Sequence, residues 1–474
     1  MNSYDAVIVG SGPNGLSAAI HLAQSGCSVL VLEGNDRIGG GVRSSYLTRP
    51  GFIHDDCASI FPLTLASPFF RTLPLQDFGL EWIYPEFQLA HPLDDGSAIV
   101  IDRSLEETAR LLTGDEGSYR RLMAPLLNNW ERFVEDLLGP LPMPPRAAMT
   151  FIQFGLGALR SARSLAKSTF QGERGRALFA GMSAHGILPL DTPSSGAYGI
   201  VLPLLAHAVG WPMPRGGAQN ISNALYTYFL SLGGEVTTST FIESINQLPD
   251  ARAYLFDVSP RSLLKLFGDK FPAGYRRQLE RYRYGPGVFK VDFALSEPVP
   301  WIAPECHTAG TVHLGGTLEE ITTSERLVGK GQHPEHPFIL VAQHSKFDPG
   351  RAPENQHTLW TYCHVPNGST HDMTERIISQ IERFAPGFRH IILDLHTRNA
   401  MQTEAYNPNY VGGDINVGVQ DLWQLYARPA IRLEPYTTPL NHVFLCSSAT
   451  PPGGGVHGMC GYYAARSALR FLEG

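Results

Sequence analysis

An apolar run, Tyr4-Asp5-Ala6-Val7-Ile8-Val9, passes directly into Gly10-Ser11-Gly12-Pro13-Asn14-Gly15. No other stretch limits the fold so tightly. Nearly continuous apolar character over so few residues predicts a strand buried on both faces of a parallel sheet. Beyond the glycines, Leu16, Ala19, Ile20 and Ala23 recur at helical spacing, and Gly26 stands where a C-terminal cap belongs. A second apolar run over residues 28–33 ends on Glu33. Strand, glycine turn, helix and strand, with an acid about 20 residues after the turn, form a dinucleotide-binding unit. In it Gly10 permits the tight turn, Gly12 lets a pyrophosphate approach the backbone, and Gly15 lets helix and strand pack closely. Ser11, Pro13 and Asn14 complete the loop, and the free N–H groups of the helix N-terminus face the phosphates. Glu33 can accept both hydroxyls of an adenosine ribose and would repel a 2′-phosphate, which disfavours NADP. NAD and FAD both remain open at this point.

A chain of 474 residues implies two or three domains around such a unit. Hydrophobic residues at 43% supply a large core, while 48 glycines and 36 prolines imply many loops. The net charge of −7 excludes the basic footprint of a nucleic-acid binder. The six cysteines contain no CxxC pair, against a disulfide scaffold, a zinc ribbon or a dithiol centre, and no metal site is expected. The start, MNSYDAVIVGSG, has no basic or long apolar leader, so a cytoplasmic location is expected. Residues 192–214 are uncharged but hold four prolines, which favours a buried helix beside a ligand cavity over a membrane span. In 140–180, Arg146, Arg160, Arg163, Lys167, Arg174 and Arg176 face the single acid Glu173, among Met149, Phe151, Ile152, Phe154, Leu156, Leu159 and Leu165. That pattern suits either a lid in peripheral contact with a membrane or an ordinary solvated helix face.

Glu33 is followed by Gly34-Asn35-Asp36-Arg37-Ile38-Gly39-Gly40-Gly41-Val42-Arg43. This Arg-x-Gly-Gly extension resembles the flavoprotein family that includes amine oxidases and phytoene-desaturase-like enzymes. The resemblance implies FAD, with a second glycine turn and the cations Arg37 and Arg43 near its diphosphate. The chain's end agrees: NHVFLCSSA reads as a strand, TPPGGGVHG as a loop and MCGYYAARSALRFLEG as a helix. In relatives the final helix points at the flavin pyrimidine, so Gly455, Val456, His457 and Gly458 are expected to bring N–H groups to it. Ser447, with Ser448, stands where many relatives carry a ribityl-binding acid. WPMPRGGAQ resembles the family's Pro-x-Gly-Gly helix start; a strand is predicted over 236–245, with Ile242 reaching adenine through its backbone. Another strand is predicted within 251–260. Together these imply an α/β fold: a Rossmann-like FAD-binding domain of glutathione-reductase/amine-oxidase type carrying an inserted α+β substrate domain. The FAD domain is expected to comprise 1–75, 212–270 and 436–474, and the substrate domain 76–211 and 271–435. GFIHDDCASIFPL, YGPGVFKVDFAL, NPNYVGGDI and SSATPPGGGVHGMCG are similar to the bacterial branch of phytoene-desaturase-like, NAD(P)/FAD-dependent oxidoreductases, which is related to pyridine nucleotide-disulfide oxidoreductase domain-containing proteins.

Residues 287–301 alternate like a strand, with Val288, Lys290 and Asp292 on one face and Phe289, Val291 and Phe293 on the other. Lys290 matches the amine-oxidase lysine beside flavin N5; the plainer reading is a Lys290–Asp292 pair on a solvated face. His54 and Asp55 suit a proton shuttle or a turn with a capping acid. Tyr410 is expected to line the cavity, and Arg215 to meet the flavin edge or cap a helix. The resemblance implies an FAD-dependent oxidoreductase, desaturase- or dehydrogenase-like, that moves a hydride from a hydrophobic isoprenoid, polyene or lipid to flavin N5. Oxygen or a quinone is the expected electron acceptor. An amine or amino-acid oxidase, and a lipid-binding escort with a vestigial FAD site, are the alternatives.

Overall fold

The computed structural model describes residues 4–140 and 144–474, apart from the side chain of Tyr426. Residues 1–3, at the start read above for a leader, and 141–143, which belong to the 140–180 segment, lie outside the described residues. The opening run forms the strand Tyr4–Val9, the centre of a five-stranded parallel sheet. Val29–Leu32 and then Glu235–Thr237 lie to one side of it, Ala251–Phe256 and then Val443–Leu445 to the other. Three separate stretches of chain therefore supply one sheet. Its order reverses between Tyr4–Val9 and Ala251–Phe256, which opens a crevice at the carboxyl ends of those strands.

Helix Pro13–Gln24 packs against the C-terminal helix Met459–Glu473 at unusually close range. A Cβ on Gly461 would lie 1.8 Å from the carbonyl oxygen of Asn14, so only glycine allows this approach. The strand predicted over 236–245 is shorter than expected. It ends at Thr237, where exposed Thr238 and Ser239 (φ 52°) follow with no apolar face to bury.

The second sheet has seven strands, in the order Ile392–Arg398, Gly287–Leu295, His357–Val365, Ile339–Ala342, Ala309–Leu314, Phe87–Pro92 and Ala98–Ile101. All neighbours are antiparallel except Ala309–Leu314 with Phe87–Pro92. The alternation of Gly287–Leu295 decides its two faces. Phe289, Val291, Phe293 and Leu295 bury against Ile377, Ile381 and Phe384 of helix Thr374–Phe384. Lys290 and Val288 look the other way, toward a cavity. The uncharged stretch holds helix Gly196–Ala208, buried over most of its length, and none of the described helices is long and apolar enough to cross a membrane.

Helix Ala148–Ala158 buries Thr150, Phe154 and Ala158 but leaves Met149, Ile152 and Leu156 in solvent, with Leu159 exposed just beyond. The cations nearby are largely spent within the protein: Arg163 and Lys167 pair with Glu319, Arg146 with Glu135, and Arg174 bonds Ser97 and Ala98. This segment therefore presents an apolar surface more than a basic one.

Candidate functional site

The crevice at the sheet's reversal is ≈ 350 Å³ and is lined by the first glycine turn, Glu33, Gly34, Asn35, Gly40, Gly41, Arg43, Ile242 and Ser447. Steric clearances explain its glycines. A Cβ on Gly15 would lie 2.0 Å from the oxygen of Gly10, and one on Gly40 would lie 3.1 Å from Cα of Gly12, so the two glycine turns stack directly. Glu33 is held by four donors: the Ser11 N–H (3.0 Å) and hydroxyl (2.5 Å) on one oxygen, the Asn35 N–H (2.8 Å) and amide (3.0 Å) on the other. Arg43, buried, reaches the same carboxylate at 3.4 Å. Ile242 arrives from the loop after Thr237 rather than from a strand.

A second cavity of ≈ 290 Å³ adjoins the first, and Pro13, Asn14, Gly41, Tyr410 and Ser448 line both. Val42, Gly455 and Val456 also border it, opposite Phe61, Trp211, Leu340, Trp360 and Tyr362. The Tyr410 ring closes over the second glycine turn: a Cβ on Gly41 would lie 1.9 Å from its hydroxyl. Lys290 opens onto this cavity, 5.9 Å from the centre of the Trp360 ring, and its ammonium bonds Asp292. The pair is buried, not solvated. Burial, the largest single influence, raises the Asp292 carboxyl, but Lys290, His396 and His54 together outweigh it and hold the acid down at about 2.

Several sequence-derived candidates lie elsewhere. Arg37 turns outward to the Ser44 carbonyl (3.0 Å) and the Ser45 hydroxyl (2.9 Å) and does not line the crevice. Gly39 packs on Ser222, and Gly458 on Ser17 and Phe70. His457 braces the final helix, its Nδ1 accepting the Met459 N–H at 3.0 Å and its Nε2 facing the Gly453 carbonyl at 3.2 Å. Asp55 is a buried hub that accepts from Arg351 (3.0 Å), the Ser44 hydroxyl (2.8 Å) and the Ala218 N–H (2.8 Å), away from both cavities. His54 stands behind the wall with Nε2 on Thr48 at 2.9 Å and Nδ1 3.7 Å from Asp292; burial pulls its pKa down to about 4. A proton shuttle at His54 and Asp55 thus has no direct access to a substrate. Arg215 pairs with Glu81 on the surface instead of meeting the cavity.

The crevice also holds groups not foreseen from sequence: Asp257, Arg261, Lys265 and Asn409. Asp257 is the first polar residue after the buried strand end Leu255-Phe256, at the carboxyl edge beside Gly10, and that position was its signal. His185 lines the second cavity and touches His313 at 2.9 Å between Nε2 atoms.

A third cavity, ≈ 400 Å³, shares Leu63, Tyr198, Leu202 and Gly454 with the second. Phe151, Phe154, Leu422, Leu425 and Ala430 line it, and at its rim Leu159 and Leu433 are exposed.

Crevice and fold define the class: a protein with a Rossmann-like dinucleotide-binding domain and a mixed α/β body of amine-oxidase type. Residues 8–73 match the NAD(P)-binding Rossmann-like domain family. Homologues include pyridine nucleotide-disulfide oxidoreductase domain-containing protein 2 of Rattus norvegicus, 24% identical over 99% of this chain and 94% of the relative. Phytoene desaturase of Fusarium fujikuroi is 26% identical over 74% of this chain and 65% of that protein. Among solved structures, putrescine oxidase bound to putrescine superposes with a TM-score of 0.63 at 16% identity, covering 100% of both chains.

Proposed function

We propose that this chain is an FAD-dependent oxidoreductase that removes a hydride from an extended apolar substrate. One observation carries the reading: the dinucleotide crevice adjoins an aromatic-walled cavity, and that cavity shares walls with an apolar one whose rim is exposed leucine. FAD bound along the crevice would supply a hydride acceptor at the junction, near Gly41 and Gly455. The glycine turns would take its diphosphate, and Glu33 and Ile242 its adenosine end. Phe61, Trp211, Leu340 and Trp360 exclude water, which hydride transfer needs more than an acid–base pair. Lys290, fixed by Asp292, faces the second cavity and would offer a cation to negative charge developing on a flavin bound beside it. The similarity to a phytoene desaturase and a 4,4'-diapolycopen-4-al dehydrogenase supports an apolar substrate; oxygen or a quinone is proposed as the final acceptor.

A second reading, an amine oxidase, is favoured by Lys290 beside Trp360, which packs edge to face with a second cavity aromatic, Tyr362, at 5.1 Å. Anaerobic mixing of the FAD-loaded protein with polyene or isoprenoid hydrocarbons and, separately, with primary amines distinguishes the two. Bleaching of the yellow absorbance by hydrocarbons alone supports the proposal; bleaching by amines alone overturns it in favour of the second reading. A colourless protein that takes up no FAD refutes both and leaves a lipid escort.

A further inference from the structure

We propose that Asp257 makes cofactor binding proton-coupled: its carboxyl must carry a proton when a dinucleotide diphosphate settles on the first turn of helix Pro13–Gln24. The inference rests on the dinucleotide reading of the crevice.

The geometry is that of a protein anion placed where a ligand anion belongs. Oδ2 of Asp257 accepts the Gly15 N–H at 3.0 Å, within the first turn of the helix. A Cβ on Gly12 would lie 2.6 Å from the same oxygen, so the carboxyl lies directly against the loop that a pyrophosphate must approach. The backbone leaves no room for retreat. The Asp257 N–H is tied to the Val9 carbonyl at 2.8 Å, and its own carbonyl accepts the Asn409 amide at 3.2 Å. A carboxylate and a diphosphate would then compete for the same helix N-terminus in a shielded site, where like charges interact strongly.

The surrounding charges do not relieve the conflict. Glu33, the nearest acid, adds negative charge, and Arg43 is already committed to it. Arg261 and Lys265, on helix Pro260–Phe267, line the crevice, but Arg261 is paired with Glu404 at 2.5 Å and neither cation lowers the Asp257 carboxyl. Tyr410, Cys446 and Cys460, the remaining titratable neighbours, are held neutral by burial. Burial pushes the Asp257 carboxyl up to about 7, with the Gly15 N–H opposing and Glu33 adding to the rise.

Protonation resolves the competition. A neutral carboxyl still accepts the Gly15 N–H through its carbonyl oxygen and gains an O–H to donate to a phosphate oxygen. A bound dianion raises the carboxyl further, so above about pH 7 binding draws up to one proton from solvent to Asp257 for each cofactor bound. The sign follows: affinity is level on the acid side of about pH 7 and weakens by about tenfold per pH unit above it.

Calorimetric titration of the apoprotein with FAD from about pH 6 to about pH 9, in two buffers of different ionisation enthalpy, counts the protons directly. The wild type is expected to take up nearly one proton at about pH 8 and to bind FAD about 50-fold more weakly at about pH 9 than at about pH 7. Asp257→Asn keeps the shape and the Gly15 bond, and is expected to show no uptake and a level affinity. No proton uptake in the wild type overturns the proposal without any variant. An undiminished pH slope in Asp257→Asn overturns it by assigning the proton elsewhere. Failure of the folded wild type to bind FAD at any pH removes the dinucleotide reading and the proposal with it.

Discussion

Gly461→Ala tests whether the two ends of the chain pack as closely as the structure shows. The new Cβ would lie 1.8 Å from the Asn14 oxygen, 2.7 Å from its carbonyl carbon and 3.0 Å from the Ala18 nitrogen, where ordinary contact begins at 3.4 Å. All three atoms are backbone, so no side chain can rotate aside. The helices Pro13–Gln24 and Met459–Glu473 must separate by the difference between 3.4 and 1.8 Å, which unpacks Leu16, Ala464 and Ala465. Overpacking of this kind costs about 1–3 kcal/mol, and a backbone obstruction belongs at the upper end. The helix-propensity gain of about 1 kcal/mol offsets only part of it. A net loss of about 2 kcal/mol, against an unfolding entropy of about 1 kcal/mol/K for a chain of 474 residues, lowers Tm by about 2 °C, read by scanning fluorimetry. Gly155→Ala is the control: it lies inside helix Ala148–Ala158 with no atom within 4 Å of the new methyl, and should gain about 0.5–1 kcal/mol. Because Asn14 belongs to the cofactor loop, Gly461→Ala should also weaken FAD binding. If Gly461→Ala melts with the wild type or above it, the close packing of the two termini is refuted.

Stability should fall on mild acidification. Burial holds His54, His91, His344 and His457 down at about 4 and His185 at about 3, against an ordinary value of 6.5. These groups stay neutral in the fold but take protons when unfolded, so their stability is present above 6.5 and is lost as pH falls from there through about 4. Each contributes about 1.4 kcal/mol per pH unit, and urea unfolding at pH 7 and about pH 5 measures the sum; a level profile contradicts the burial of these rings. The exposed Ile152 and Leu156 predict that the wild type floats with neutral phosphatidylcholine vesicles, that Ile152→Ser with Leu156→Ser does not, and that Arg163→Glu still does because Arg163 is already paired. Loss only in the charge variant would reverse that assignment.

What the sequence revealed, and what it hid, follows the range of the interactions involved. Tyr4–Val9, the helix starting at Pro13 and the helix over Met459–Glu473 were legible because apolar spacing and glycine turns are local signals. The seven-stranded sheet was not, since it pairs residues as distant as Leu89 and Thr311, and nothing local encodes such a partner. The strand predicted over 236–245 extrapolated a relative's pattern across Thr238–Thr240, which have no buried face. His54 and Asp55 looked chemical because a histidine beside an acid suits proton transfer. Asp55 is committed to Arg351, 296 residues away along the chain, a partner invisible to spacing. Lys290 was legible through strand alternation, which put it opposite Phe289 and Val291, though not through anything that announced its burial. Asp257 was missed because one acid at a strand's end carries meaning only when the neighbouring strand is known.

Hydrogen–deuterium exchange with and without FAD tests the central claim most directly, that one dinucleotide is held by both ends of the chain. The account predicts slowed exchange together over residues 10–15, 40–43 and 447–458, all saturating at one FAD per chain. Slowing confined to the first glycine turn, with 447–458 unchanged at full occupancy, would contradict it.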